Sequence, residues 1–159
     1  MRSEFSTFDI IKALGIPRER LRQWQVRSFI KPTIPAEGQG TKAVFTLLDV
    51  YGVALFRSLL ENGFSRATAG DYVKQFIAQE EGEPDHQKTA YILFRESVKN
   101  GEKAIGVLTF ARGDWKIDLE TSAVEWNEIK IEADTDWRTL HIVNFETLRN
   151  EVDAALAKL

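Results

Sequence analysis

Gly15 to Pro32 reads GIPRERLRQWQVRSFIKP, and this stretch decides the fold of the first half of the chain. Gly15 marks a tight turn, Pro17 suits the entry of a helix because its missing N–H is not needed there, and Pro32 closes the stretch. The helix between them carries Arg18, Arg20 and Arg22, with Arg27 just beyond. Turned at 100° per residue, Leu21 and Trp24 share one side, and Arg18, Glu19, Arg22, Gln23 and Val26 point the other way. Arg27 falls at one flank and Arg20 nearer the domain edge. A short basic helix with a narrow apolar seam, following another short helix across a glycine turn, is the arrangement that presents arginines to phosphates and base edges.

The preceding helix is equally legible. Ser6-Thr7-Phe8-Asp9 is a capping box that starts a helix running to Leu14, with Ile10, Ile11 and Leu14 as its buried face and Gly15 as its stop. TIPAEGQGTKAV, between Pro32 and Phe45, predicts a hairpin or loop with a basic edge at Lys42. Thr46-x-x-Asp49 is a second capping box. It opens a longer helix with Val50, Val53, Ala54, Phe56, Leu59 and Leu60 as an apolar stripe, ended by Asn62-Gly63. Ser65 caps a further helix from Arg66 to about Gln79.

These residues resemble the DNA-binding domain of the mercury-resistance regulator (MerR) family over residues 5 to about 77. Phe5 stands where that family often has tyrosine, Gly15-Ile16 where it has Gly-Val, and Leu21-Arg22 where it has Leu-Arg. Phe29-Ile30-Lys31-Pro32 resembles its Leu-Leu-x-Pro. Gly38-x-Gly40-x-Lys42 followed by Phe45-Thr46-x-x-Asp49-Val50 resembles its glycine-containing wing and the helix start after it. Gly63-Phe64-Ser65 resembles its step into a fourth helix. The departures are Gln23-Trp24 in place of two aromatic residues, Gln25 in place of a glutamate, and Lys42 in place of the wing arginine. The long heptad helix that dimerises most members is missing. The resemblance implies a winged helix-turn-helix that contacts DNA through Arg18, Arg20, Arg22, Gln23, Trp24, Arg27, Thr41 and Lys42. Arg22 and Gln23 suit the groove, because guanidinium can pair with guanine and the amide with adenine. Arg18, Arg27 and Lys42 suit phosphates. For Trp24 two roles stay open, a core anchor that docks the helix or a contact to the sugar-phosphate backbone.

Charge follows the same division. Residues 1–76 carry 11 Lys/Arg and 7 Asp/Glu, whereas residues 77–159 carry 10 and 17. A basic half joined to an acidic one lets the first half approach a polyanion. The chain has no cysteine, which excludes disulfides, thiolate metal sites and a cysteine nucleophile. His86 and His141 are the only histidines, so neither a metal site nor any other cofactor is expected. The amphipathic start, MRSEFSTFDIIKAL, has no signal-peptide core. No apolar run reaches the ~20 residues of a membrane helix. The expectation is a soluble cytoplasmic protein.

Gln79 to Gln87, QEEGEPDHQ, reads as the core of an acidic linker over 79–88. Beyond it the period changes. Tyr91–Phe94, Ala104–Phe110, Trp115–Glu120, Glu128–Glu132 and Leu140–Val143 are candidate strands, with Arg112-Gly113-Asp114 as a hairpin turn. Asn144 or Thr147 caps a terminal amphipathic helix to Leu159. Its face of Leu148, Val152, Leu156 and Leu159 suits either the chain's own sheet or a second copy. Asp118, Glu120, Glu128 and Glu132 lie on wet strand faces, where solvated carboxylates are routine, so no enzyme is expected. Trp115, Trp126 and Trp137 fit either core and interface anchors or a pocket for a flat ligand.

The sequence therefore predicts an α+β protein. An all-α winged helix-turn-helix domain spans 1–78, followed by the linker and a small antiparallel β-sheet domain with a C-terminal helix over 89–159, serving dimerisation or effector sensing. The expected function is sequence-specific binding of double-stranded DNA by a homodimeric bacterial or prophage transcriptional regulator, with a small-molecule or protein effector at the β-rich domain. The alternatives are an architectural or accessory DNA-binding protein, excisionase-like or a packaging factor, and a protein-interaction adaptor acting through the β-rich half.

Overall fold

A computed structural model describes residues 3–38, 41–77, 105–111, 114–120 and 137–159. The linker 79–88, the candidate strands Tyr91–Phe94 and Glu128–Glu132, His86, Arg112-Gly113 and Trp126 lie outside these residues. The chain divides into two compact units, one of Met1–Ile77 with Leu148–Leu159 and one of Ala78–Thr147.

The first unit is built on two strand-to-helix joints. Strand β1 (Glu4–Ser6) pairs antiparallel with β2 (Val44–Thr46), with Phe5 opposite Phe45. Each strand runs straight into a helix, β1 into α1 (Thr7–Leu14) and β2 into α3 (Leu47–Glu61). Ser6 and Thr46 are extended residues that also cap those helices. The Ser6 hydroxyl accepts from Asp9 N at 3.2 Å while Asp9 Oδ2 accepts from Ser6 N at 2.7 Å. Thr46 and Asp49 repeat the exchange at 3.2 and 2.8 Å. Two orphan donors are satisfied at each helix start, and the short ladder fixes the two starts side by side. The first unit is thus not all-α, as the sequence suggested. A three-residue strand shows no usable period of its own, and it forms here because buried Phe5 and Phe45 face each other across the ladder.

Gly15, at φ 63°, ends α1 in the left-handed conformation, and α2 (Arg18–Val26) follows with Pro17 at its entry. The end of α2 is a Schellman turn: Phe29 N donates to Trp24 O at 3.0 Å and Ser28 N to Gln25 O at 2.9 Å. Helix α3 ends the same way, with Phe64 N on Leu59 O and Gly63 N on Leu60 O. The left-handed position holds Gly63 in one turn but Ser28, at φ 56°, in the other. An L-residue is strained there. Ser28→Gly should therefore raise stability by about 0.5–1 kcal/mol, once the extra chain entropy that glycine loses on folding is set against the strain removed. A denaturant midpoint at or below that of the parent would refute this.

Helix α3 is buried almost all round, over Asp49–Phe56 and at Leu59, rather than along the single stripe its sequence suggested. Leu60 stays half-buried, while Tyr51, Gly52 and Leu55 join the core. Phe56 takes Trp24 edge-to-face at 4.9 Å and stacks on Phe29 at 5.8 Å. On another side lies α4 (Arg66–Ile77), which Ser65 caps by accepting from Thr68 N at 3.1 Å. Gly70 lets α4 approach the chain after α2, since a Cβ at that position would stand 2.9 Å from Phe29 Cδ1.

The terminal helix α5 (Phe145–Leu156) starts with Thr147 N donating to Asn144 Oδ1 at 3.1 Å. Its destination differs from the sequence reading, which grouped it with the β-rich half. Leu148–Leu159 belongs to the first unit, where the Tyr51 hydroxyl donates to Asp153 Oδ1 at 2.7 Å and Leu148 and Val152 are buried. An amphipathic helix specifies that one face must be covered but not by which surface; here the first unit buries Leu148 and Val152, while Leu156 is half-buried and Leu159 exposed.

In the second unit the described strands are β3 (Ile105–Ala111), β4 (Asp114–Glu120) and β5 (Trp137–Asn144), in the order β4-β3-β5 with antiparallel neighbours. Ala111 stands opposite Asp114, so the ladder closes at the position where the hairpin turn was expected. The β5 pairing slips between Phe110 and Ala111. Trp115 lies in β4 opposite Phe110, and Trp137 opens β5.

Candidate nucleic-acid interface

Helix α2 separates its residues sharply. Leu21 is fully buried and Trp24 is 4% exposed, whereas Arg18, Glu19, Arg20, Arg22, Gln23, Val26 and Arg27 are all exposed. The spacing that put Leu21 and Trp24 on one side is the spacing that docks the helix. Of the two roles open for Trp24, burial favours the anchor. A ring packed on Phe56 presents little surface, which supports the anchor role, although its edge lines the groove between Arg20 and Arg66.

Arg22 is held rather than free. Its Nε donates to Glu19 Oε2 at 2.9 Å and its Nη2 to Glu19 Oε1 at 2.7 Å, a bidentate fork one helical turn apart. This hydrogen bonding, with the opposed charges, holds the Glu19 carboxyl below its ordinary value and raises the Arg22 guanidinium above its own. Both groups stay ionised. Each side chain is 62% exposed, so the pair contributes little to stability, but it does set the direction of the guanidinium.

The loop between α2 and β2 is tied at both ends. Ile34 and Val44 form a two-way backbone bridge at 3.1 and 2.9 Å. Near the tip, Thr41 Oγ1 donates to Gly38 O at 2.9 Å, and Gly38 takes a φ of 135° that favours glycine. Thr41 and Lys42 are exposed. At the base of the loop, Asp49 Oδ2 accepts from Thr33 N at 3.0 Å and Thr33 Oγ1 at 2.7 Å, besides the capping bond from Thr46 N. One buried carboxylate thus closes a helix start and anchors the strand leading out to Lys42.

A groove of about 720 Å³ brings Arg20 and Gln23 together with Ser65 and Arg66. Arg66 escaped the sequence reading. A signal for it existed, because a cation in the first turn of a helix opposes the helix dipole and asks for a reason. Glu19 was legible too, three residues before Arg22, as an i,i+3 ion pair. Asp118 and Glu120 lie on the described strand β4, whereas Glu128 and Glu132 fall outside the described residues. Among the described residues no group of side chains could hold a metal ion, and no helix is long and apolar enough to cross a membrane.

Residues 5–75 match the family model described as MerR HTH family regulatory protein. No curated protein matches the chain. The helix pair α1–α2 and the two helices that follow carry this match, so this part of the chain is similar to a MerR-type helix-turn-helix domain.

Proposed function

We propose that the MerR-type domain of residues 5–75 serves sequence-specific recognition of double-stranded DNA by a transcriptional regulator in a bacterial or prophage setting. The observation that carries this reading is the clean division of α2, with two apolar residues docked and Arg18, Arg22 and Gln23 presented together on the open side. Arg22 and Gln23 read bases in the major groove. Arg18 and Arg27 meet phosphates, Thr41 and Lys42 reach them from the loop acting as a wing, and Arg20 and Arg66 do so across their shared groove. One short helix covers too little DNA for high affinity, so the reading includes a homodimer. With Leu148 and Val152 already covered in the first unit, its interface falls to the β-rich half, which is also the place for a small-molecule or protein effector.

Fluorescence anisotropy of the full chain on random and selected duplexes tests this. Binding should weaken steeply with salt as counterions return to the DNA. Arg22→Ala should cost on the order of 1–3 kcal/mol on the selected site and little on random duplex, while Lys42→Ala should weaken all duplexes alike and lower the salt slope by about one. Absent or salt-insensitive binding would reject the DNA reading.

A further inference from the structure

On the open side of α2 one residue does not match its neighbours. Val26 is 70% exposed, so burial does not explain it. A β-branched residue on a wet helix face also gains nothing from helix propensity. At 100° per residue it falls between Arg22 and Gln23, in the middle of the face that the proposed function turns to DNA. Around it every exposed residue on α2 is charged or an amide donor. In the major groove the one apolar feature is the thymine 5-methyl group.

The Glu19–Arg22 fork adds a second constraint. Glu19 occupies the Nε/Nη2 edge of the guanidinium and leaves the Nη1/Nη2 edge open. That free edge still offers two parallel N–H donors, the pattern that fits guanine O6 and N7. An acidic side chain facing a polyanion is unfavourable in itself; Glu19 suits the first turn of α2, and its fork also fixes the direction of Arg22.

We infer that Val26 reads the methyl group of a thymine lying within two base pairs of the guanine taken by Arg22, with Glu19 as the positioning residue for that arginine. This rests on the DNA-binding reading. The distance follows from geometry: four residues of helix advance about 6 Å, against a base-pair rise of about 3.4 Å. Val26 and Arg22 determine specificity together, one through an apolar contact and the other through a bidentate pair.

Sites selected from a random duplex pool by the full-length protein should contain such a guanine–thymine pair. Deoxyuridine in place of that thymine removes the methyl group and nothing else. Wild-type binding should then fall about fourfold, the equivalent of one buried methyl group. Val26→Ala, whose fold is checked by circular dichroism, should bind the thymine and deoxyuridine duplexes equally. Glu19→Ala should bind random duplex more tightly while discriminating less between guanine and adenine at the Arg22 position, a ratio that a merely structural role would leave unmoved. Equal deoxyuridine sensitivity in wild type and Val26→Ala, or selected sites without thymine in that window, would overturn the inference while steep salt-dependent binding kept the DNA reading intact. Loss of all salt-dependent binding would overturn both.

Discussion

Trp24→Ala is expected to destabilise the first unit by on the order of 3–5 kcal/mol, the range for removing a large buried aromatic side chain. Three features concentrate the effect at this residue. The side chain is 4% exposed and meets Phe56 edge-to-face at 4.9 Å, so the substitution removes both buried area and an aromatic pair. Its backbone carbonyl is the acceptor of the Schellman turn, receiving Phe29 N at 3.0 Å, and Phe29 stacks on the same Phe56. A cavity there loosens the seat of α2 and the turn that ends it. Domains have only about 5–15 kcal/mol in total, so much of the variant population would be unfolded at room temperature. Denaturation followed by far-UV circular dichroism measures the shift, and DNA binding should fall with the folded fraction. Arg22→Ala is the contrasting case: under the proposed function it should leave the midpoint nearly unchanged and weaken only binding to the selected site. A Trp24→Ala midpoint equal to that of the parent would show that the ring does not hold the helix.

Asp49→Ala is expected to cost on the order of 2–3 kcal/mol, because three part-buried donors lose their carboxylate acceptor. Asp49 is 3% exposed, and its Oδ2 receives Thr33 N, Thr33 Oγ1 and Thr46 N. A lost capping box alone costs about 1 kcal/mol. The excess at Asp49 is the strength of the tether from α3 to the base of the loop. Under the proposed function, Asp49→Ala should also lose the phosphate contact of Lys42, lowering the salt slope as Lys42→Ala does. An unchanged denaturation midpoint for Thr33→Val would mean that the Thr33 hydroxyl adds nothing.

Several parts of this protein were readable because their physics is local. A capping box joins residues three apart, so Ser6–Asp9 and Thr46–Asp49 are visible as letters and appear in the structure as reciprocal hydrogen bonds. Gly15 and Gly63 mark helix ends because left-handed backbone favours glycine. Ser28 occupies the same kind of position without that marker, and its turn stayed hidden. The open side of α2 followed from helical periodicity alone. Strand β4 was placed by its alternation, and β3 and β5 as short β-rich runs, to within a few residues at each end.

The sequence by itself determined the MerR-type helix order, the starts and stops of its helices, and which residues of α2 could face a polyanion. Each of these rests on interactions across three or four residues, which a linear pattern records. The tertiary structure decided the rest. It placed Trp24 in the core, gave Asp49 a partner 16 residues away, surrounded α3 with apolar contacts, and set Leu148–Leu159 with the N-terminal helices rather than the β-rich half. Amphipathicity says that a face must leave water, and hydrophobic attraction has no direction, so only the packed shape of the whole unit chooses the surface that receives it.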